Sequence, residues 1–495
     1  MIRAIASNIT SPLGRDTEQN YLAVRAGRSA LSVHSDWKGI PAPFVAAAFP
    51  QEITDALRIN GFTRFESLVI RSIEEALCHI DGKLPTERTL LILSTTKCNV
   101  EELSRDERPA YSAPGETARR IAGHFGFVME PIVVCNACIS GVTAQVLADR
   151  MLQNNECDFA VVCGADCLSA FTIAGFMSFK SLSPEPCRPF DIERLGLNLG
   201  EAAATIVYAR ADSDMAGEKG WTLVSSCLDN DAYHVSSPSP SGDGVLQAVR
   251  NTLSAAPAAR LALVNAHGTA TMFNDQMESK AIERAGLSDI PVSALKGYFG
   301  HTLGAAGVLE AIITMRSLDD GIILPTKGFE ETGVSGRMNI CTSEADAQSH
   351  TFLKIISGFG GCNGAALFTK DRLEPGVVHH LPEIRTLHSV RISPEKILLD
   401  GRSLEVAGAG KAMLVNAYRD YVSEYPKFHK MDMLSKLVFL ASELLCNAEP
   451  VVTLDENTAV ILFNRTSSVV SDRVHIGTIS GQEGFFPSPS VFLYT

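Results

Sequence analysis

Long apolar runs, basic runs and tryptophan are what this 495-residue sequence has least of. No apolar run approaches the roughly 18–20 residues that a membrane-spanning helix needs. The opening MIRAIASNITSPLG lacks the charged segment, the apolar core and the small-residue cleavage site of a secretion signal. No membrane span is therefore expected, and the expected compartment is the cytoplasm. Lys and Arg number 43 against 56 Asp and Glu, a formal net charge of −13. A protein that grips a phosphate backbone needs a basic face, and no run of Lys or Arg supplies one, so a nucleic-acid partner is not expected. Disorder is excluded as well. With 45% hydrophobic residues and a mean hydropathy of +0.10, the chain can bury large cores, about two to four domain-sized units for this length.

The 12 cysteines are scattered, many in apolar stretches such as FAVVCGADCLSAF. In a reducing compartment most behave as small buried hydrophobes. One pair stands out, Cys135 and Cys138 in VVCNACISGV. A zinc site takes about four ligands in spaced pairs, and no histidine pair at ligand spacing accompanies these cysteines, so no metal is expected. A redox pair would place both thiols at one turn. Here Cys135 sits in the strand-like PIVVCNA, and an odd separation on a strand sends two side chains to opposite faces. Cys135 is therefore expected to be a packed strand residue. Cys138 precedes SGVTAQVLADRML, a helix of small and apolar residues. A cysteine at such a strand-to-helix elbow meets several free backbone N–H groups, and the helix dipole there favours a thiolate. Two packed, unreactive cysteines remain the alternative from this stretch alone.

A thiolate needs partners for acid, base and electrostatic work. Two of the 12 histidines stand in unusual company. His267 follows the apolar run 261–264 and opens His267-Gly268-Thr269, with Thr271, Asp275 and Glu278 close behind. His301 follows Lys296 and opens a second small-residue helix that carries Glu310 in an otherwise apolar face. Further on, KIISGFGGCNGAALF reads as a strand, a Gly-rich turn around Phe359 and another strand. Taken singly, a histidine beside glycine is more often a satisfied loop residue, and Lys296 or Glu310 a surface charge.

The order of these motifs, together with CRPFDIERLGLNLGEAAATIVY and the opening SNITSPLGRDTEQNYLAVRAGRSAL, resembles the elongating β-ketoacyl-acyl-carrier-protein synthases. These are condensing enzymes of fatty acid and polyketide synthesis, and the resemblance covers about residues 1–372. It implies an α/β protein with the thiolase-like layered α-β-α-β-α fold, built of two pseudo-symmetric halves at about 1–222 and 223–372. It also implies a decarboxylative Claisen condensation. Cys138 would carry the acyl chain as a thioester. His267 and His301 would bind the malonyl thioester carbonyl and promote loss of CO2. Lys296 would support the second histidine, with Glu310 and Asp275 supporting the same network. Backbone N–H groups of Cys138 and Phe359 would form the oxyanion hole, and Phe359 would gate access to the cysteine. Thr269 and Thr271 would contact the phosphopantetheine arm of the carrier. The family implies no cofactor beyond that substrate-borne arm. Its implied partners are acyl- and malonyl-loaded acyl carrier protein and a second synthase chain, as homodimer or heterodimer. The chemistry agrees with the residues: decarboxylation creates an enolate, and two neutral imidazoles can donate hydrogen bonds where negative charge develops. Degradative thiolase is the near rival, with Cys362 as its would-be second cysteine. It lacks the His-Gly-Thr motif, and Cys362 reads as a packing residue. A non-catalytic chain-holding subunit is the alternative of a different class.

Residues 373–384 read as a linker, and 385–495 look globular again. KAMLVNAYRDYVSEY and MDMLSKLVFLASELL are helical by period, and NTAVILFNRTSS reads as a strand and turn. Three blocks of this region align in order with 62–80, 89–106 and 126–137. A degenerate partial repeat of the first half is therefore expected. On that alignment PSVFLYT imitates the strand PIVVCNA, and Thr495 falls opposite Ala137, one residue short of Cys138. Such a repeat would be catalytically empty, docking on the synthase body or helping to bind a partner.

Overall fold

The computed structural model describes residues 1–104, 110–217, 220–257, 259–371, 385–422, 424–451, 454–455, 458–464, 468–480 and 484–495. The linker expected over 373–384 lies outside them. The described residues fall into two units, one from the stretches Met1–Gly376 and Arg465–Leu493, the other from Val377–Asn464.

The first unit is organised by ten strands: β1 (Ile2–Thr10), β2 (Thr89–Ser94), β3 (Ile132–Val134), β4 (Phe159–Asp166), β5 (Ala202–Arg210), β6 (Thr222–Asn230), β7 (Leu263–Asn265), β8 (Pro291–Ser293), β9 (Thr351–Gly358) and β10 (Cys362–Thr369). With the short Asn339–Ile340 at one edge they form a single sheet, ordered β8-β7-β9-β10-β6-β1-β5-β4-β2-β3. β1 to β5 and β6 to β10 each follow the spatial order first, fifth, fourth, second, third. In each set the outer pairs nearest the centre are antiparallel and the next two are parallel. The two sets are joined by antiparallel pairing of Ile2 with Leu223 and Arg3 with Thr222. This is the duplicated, layered architecture expected from the resemblance.

The strands read as continuous apolar runs because both faces are buried. In β2, Leu90 and Ile92 enter one core cluster and Leu91 and Leu93 another, as the two-residue side-chain period requires. Helix α1 (Arg64–Leu77) covers β1, β4 and β5. It starts at a reciprocal capping box between Thr63 and Glu66. Further on, α2 (Ser140–Gln153), α3 (Ala170–Ser178), α4 (Asp243–Ser254), α5 (Met272–Arg284) and α6 (Ala306–Asp319) complete the layers. α2 touches β4 and β10, and α6 touches β5 and β9, so these two helices lie between the halves and against each other. Glycines set their separation. A Cβ on Gly307 would stand 2.7 Å from the Val142 nitrogen, and one on Gly141 3.0 Å from the Gly307 nitrogen.

Two sequence expectations need correction here. Cys135 is exposed, not packed. β3 ends at Val134 and is the edge strand of the sheet, so Cys135 follows it at the rim of the sheet. The region 385–495 is also not one appended unit. α7 (Gly410–Tyr421) and α8 (Met433–Cys446) form where the helical period places them and pack around Tyr418, Phe428 and Leu440. Residues 458–464, expected as a strand, join no sheet among the described residues. A strand-like sequence becomes a strand only beside a partner. The following α9 (Val469–Ser480) and α10 (Pro489–Phe492) pack in the first unit. α10 is a short helix where PSVFLYT was expected to be a strand. Ser488-Pro489 places proline at the first helical position, where its fixed φ and missing N–H suit a helix start. No helix among the described residues is long and apolar enough to cross a membrane.

The glycine contact gives a test with a definite sign. Alanine is the better helix former by about 1 kcal/mol, but at 307 its methyl would press on backbone that cannot yield. Overpacking of this kind costs about 1–3 kcal/mol. Gly307→Ala is therefore expected to lower the midpoint of thermal unfolding, and a raised midpoint would show that the two helices are not in close contact there.

Candidate active site

Cys138 lies between β3 and α2, at a turn the backbone holds under strain. Ala137 has φ +43°, a left-handed conformation unusual for a residue with a Cβ. Ser140 secures the turn: its Oγ accepts from the Asn136 N–H at 2.7 Å and donates to the Ala137 carbonyl at 2.6 Å. The Cys138 thiol lines a cavity of about 380 Å³ that is also lined by His267, His301, Thr269, Thr271, Phe359 and Phe176. The turn between β9 and β10 abuts this elbow, since a Cβ on Gly358 would sit 3.2 Å from the Cys138 nitrogen. The structure thus brings the cysteine, both histidines, both threonines and Phe359 to one cavity.

His267 follows β7. Its loop is cradled by two acids of α5: Glu278 accepts from the N–H groups of His267 (2.6 Å) and Gly268 (2.9 Å), and Asp275 from those of Thr269 (3.0 Å) and Ala270 (3.1 Å). The other Asp275 oxygen accepts from the Phe190 N–H at 2.7 Å, which docks the Arg-Pro-Phe-Asp segment onto the same loop. His301 is set by the segment after it in that motif: its N–H donates to the Asn198 carbonyl at 2.7 Å, and its own carbonyl accepts from Gly200 at 3.0 Å. Asp166, at the end of β4, accepts from the Gly304 N–H at 2.7 Å and from the Thr96 N–H at 2.9 Å. It thereby ties the His301 turn to the chain leaving β2.

The two imidazoles stand edge to face, 5.2 Å apart. Nδ1 of His301 accepts from the Leu303 N–H at 3.2 Å, so the ring proton is on Nε2, for which no group among the described residues provides a partner. Nδ1 of His267 lies 3.2 Å from the Lys296 ammonium, a donor only, which assigns its proton to Nε2 as well. Lys296 was expected to support the second histidine; it contacts the first. Its Nζ also donates to the His267 carbonyl at 2.6 Å and to Glu310 at 2.8 Å. The reason is tertiary: α6 carries Glu310 to the side of His267, and the carboxylate fixes the ammonium there. Lys354 of β9 donates to the other Glu310 oxygen at 2.5 Å.

Burial dominates the titration behaviour. It pushes the Cys138 thiol up to about 12, against the opposing pull of Lys296. Burial thus opposes the thiolate that the helix start favours. Burial and the two lysine charges hold both histidines well below their ordinary value, so they are neutral at pH 7. Burial resists ionisation of Glu310, but Lys296 and Lys354 outweigh it and hold the carboxyl below its usual range. Sequence reasoning missed Lys354 and Asp166 as site residues and named Glu278 without giving it a role. A signal existed for each: a lysine inside the apolar run TFLKIISG, an acid one turn after Asp275, and an acid closing FAVVCGAD.

Comparison with known proteins agrees with this geometry. The model of the β-ketoacyl synthase N-terminal domain matches residues 95–213, and that of the C-terminal domain matches residues 222–330. Among solved structures, a β-ketoacyl synthase from Burkholderia phymatum STM815 superposes with a TM-score of 0.65 at 25% identity, covering 75% of this chain and 99% of that one. A ketosynthase (ApeO) in complex with its chain length factor (ApeC) from Xenorhabdus doucetiae gives 0.63 at 24%, covering 74% and 97%. In sequence, the 3-oxoacyl-[acyl-carrier-protein] synthase 2 of Vibrio cholerae is 33% identical over 410 residues, 73% of this chain and 96% of that protein. The fold and site define a thiolase-fold condensing acyltransferase. The chain belongs to the β-ketoacyl-acyl-carrier-protein synthase family, which works in fatty acid or polyketide chain elongation.

Two measurements follow from the site's electrostatics. A thiol raised by burial is protonated at neutral pH, so alkylation of Cys138 by iodoacetamide is expected to be slow at pH 7 and still rising above pH 9; a plateau by pH 8 contradicts this. Glu310→Gln leaves two buried ammonium groups without a carboxylate. It is expected to cost about 3–5 kcal/mol, read as a lower urea midpoint.

Proposed function

We propose that the protein condenses a Cys138-bound acyl group with malonyl-acyl carrier protein. The observation that supports this best is the pair of neutral imidazoles, each with Nδ1 engaged as an acceptor and Nε2–H left for the cavity shared with Cys138. In the first half-reaction the Cys138 sulfur attacks the acyl thioester. The bond to the carrier thiol breaks, and the departing sulfur takes the Cys138 proton. This balances without a separate base, which suits a thiol held protonated by burial.

In the second half-reaction the malonyl C–CO2 bond breaks. Its electron pair passes into the thioester as an enolate, and CO2 leaves. Nε2–H of His267 and of His301 donate to the enolate oxygen. The cavity's exclusion of water strengthens both bonds and keeps the carbanion from being protonated. The enolate carbon then attacks the Cys138 thioester, and backbone N–H groups of Cys138 and Phe359 hold the resulting oxyanion. Collapse expels the Cys138 thiolate and leaves a β-ketoacyl chain on the carrier, and the thiolate takes up one proton from solvent as product leaves, which restores the thiol. Lys296, Lys354 and Glu310 position His267 and keep it neutral, and Asp275 and Glu278 hold its loop. Thr269 and Thr271, whose hydroxyls lie 2.9 Å apart on the cavity wall, receive the phosphopantetheine arm. The partners proposed are the acyl- and malonyl-loaded carrier protein and a second synthase chain, identical or related. The enzyme works in the cytoplasm and carries no cofactor of its own.

Intact mass spectrometry after incubation with acyl-loaded carrier is expected to show an acyl adduct that Cys138→Ala abolishes. His267→Ala and His301→Ala are expected to keep the adduct while slowing release of CO2 from malonyl-carrier. Loss of one such donor costs about 10²–10³-fold. Absence of an adduct with every carrier-bound donor would assign the protein to the chain-holding subunits instead.

A further inference from the structure

The segment made of α9 and α10 packs against α3, which lines the site cavity. Asp472 on α9 pairs with Lys97 at 3.2 Å, with both side chains nearly buried. The backbone N–H of Lys97 donates to Asp166, the same carboxylate that holds the His301 turn. His475, fully buried, contacts the Phe171 carbonyl at 3.3 Å through Nε2 and the Phe171 ring at 4.7 Å.

At the end of this segment Phe492 enters the body. It lies where Gly175 has no side chain, since a Cβ there would sit 2.3 Å from the ring. Its ring is 5.7 Å from those of both Phe176 and Phe179. These two phenylalanines line the cavity that contains Cys138. Each also meets Phe359, at 5.9 Å and 5.6 Å. This wall of the cavity is thus two aromatic rings that each contact both Phe359 and Phe492.

We propose that Phe492 is a specificity-determining residue: by backing Phe176 and Phe179 it fixes the apolar wall of the acyl pocket and so limits the chain length accepted at Cys138. It acts through those two rings and is a positioning residue. The proposal rests on the acyl-Cys138 reading above. Without Phe492 the two rings lose the contact that fills the Gly175 cleft, and a longer chain can press them back into it. A larger ring at 492 presses them inward.

The test uses the full chain with Phe492→Ala, Phe492→Leu and Phe492→Trp. Cys138 is challenged with saturated acyl-N-acetylcysteamine thioesters of increasing length and, separately, with N-alkyl iodoacetamides of the same lengths. Adducts at Cys138 are read by mass on the peptide that carries it, with Cys138→Ala as the blank. The ratio of rate constants for the longest over the shortest reagent is expected to rise about tenfold in Phe492→Ala, rise less in Phe492→Leu and fall in Phe492→Trp. A general loosening of the fold would move all reagents together and would not reverse sign with ring size. If Phe492→Ala does not fold, the opposed shifts of the leucine and tryptophan variants decide. Wild-type length profiles in the folded variants overturn the proposal. If the iodoacetamides show the shift while no thioester acylates even the wild type, the pocket assignment stands and the condensing reaction is what fails.

Discussion

The close approach of α2 and α6 is the contact on which the site depends. Each helix follows a residue that must face the cavity, Cys138 just before α2 and His301 before the turn Leu303–Ala305 that leads into α6. Glycine at 141 and 307 lets the helix backbones meet without intervening side chains. The adjoining turn obeys the same limit, since a Cβ on Gly304 would stand 2.6 Å from the Thr95 Cα. Asp166 then ties that turn to the chain leaving β2. The positions of sulfur and imidazole are thus consequences of backbone packing, which tolerates little adjustment at interior density.

Burial that positions the groups also sets their protonation. The same exclusion of water raises the thiol and lowers the imidazoles. Both shifts favour the neutral species, and the proposed chemistry uses both: a thiol that hands its proton to the departing sulfur, and imidazoles that donate from Nε2. Glu310 is the exception. It stays below the usual carboxyl range because two ammonium groups surround it. The charged triad of Glu310, Lys296 and Lys354 is therefore the electrostatic support of the His267 side, while backbone groups and the Asp166 carboxylate hold the His301 turn.

Residues beyond the synthase body divide in a way their local patterns do not announce. α7 and α8 carry strong helical periods and form their own small core. The stretch 458–464 has the composition of a strand and no ladder, and PSVFLYT has the composition of a strand and becomes a helix. Both departures share a cause. β-structure is a property of pairs of segments, and the alignment with the first half supplied likeness of sequence but no neighbour to bond with. The buried contacts of Asp472, His475 and Phe492 place α9 and α10 within the first unit instead.

The duplicated α/β fold was implied by the family resemblance that the motif order carries, while local period and turn chemistry marked the elbow at Cys138 and the turns of His267, His301 and Phe359. Asp275 and Glu310 were legible as acids in the right company. Three things were decided only by the tertiary structure. Lys296 serves His267, because α6 delivers its carboxylate partner there. Cys135 is exposed, because β3 is an edge strand. Phe492 reaches the site wall, because Gly175 leaves a cleft more than 300 residues away in sequence. Each is a question of which surfaces meet across the fold, and close packing answers such questions through distances that no short stretch of chain contains.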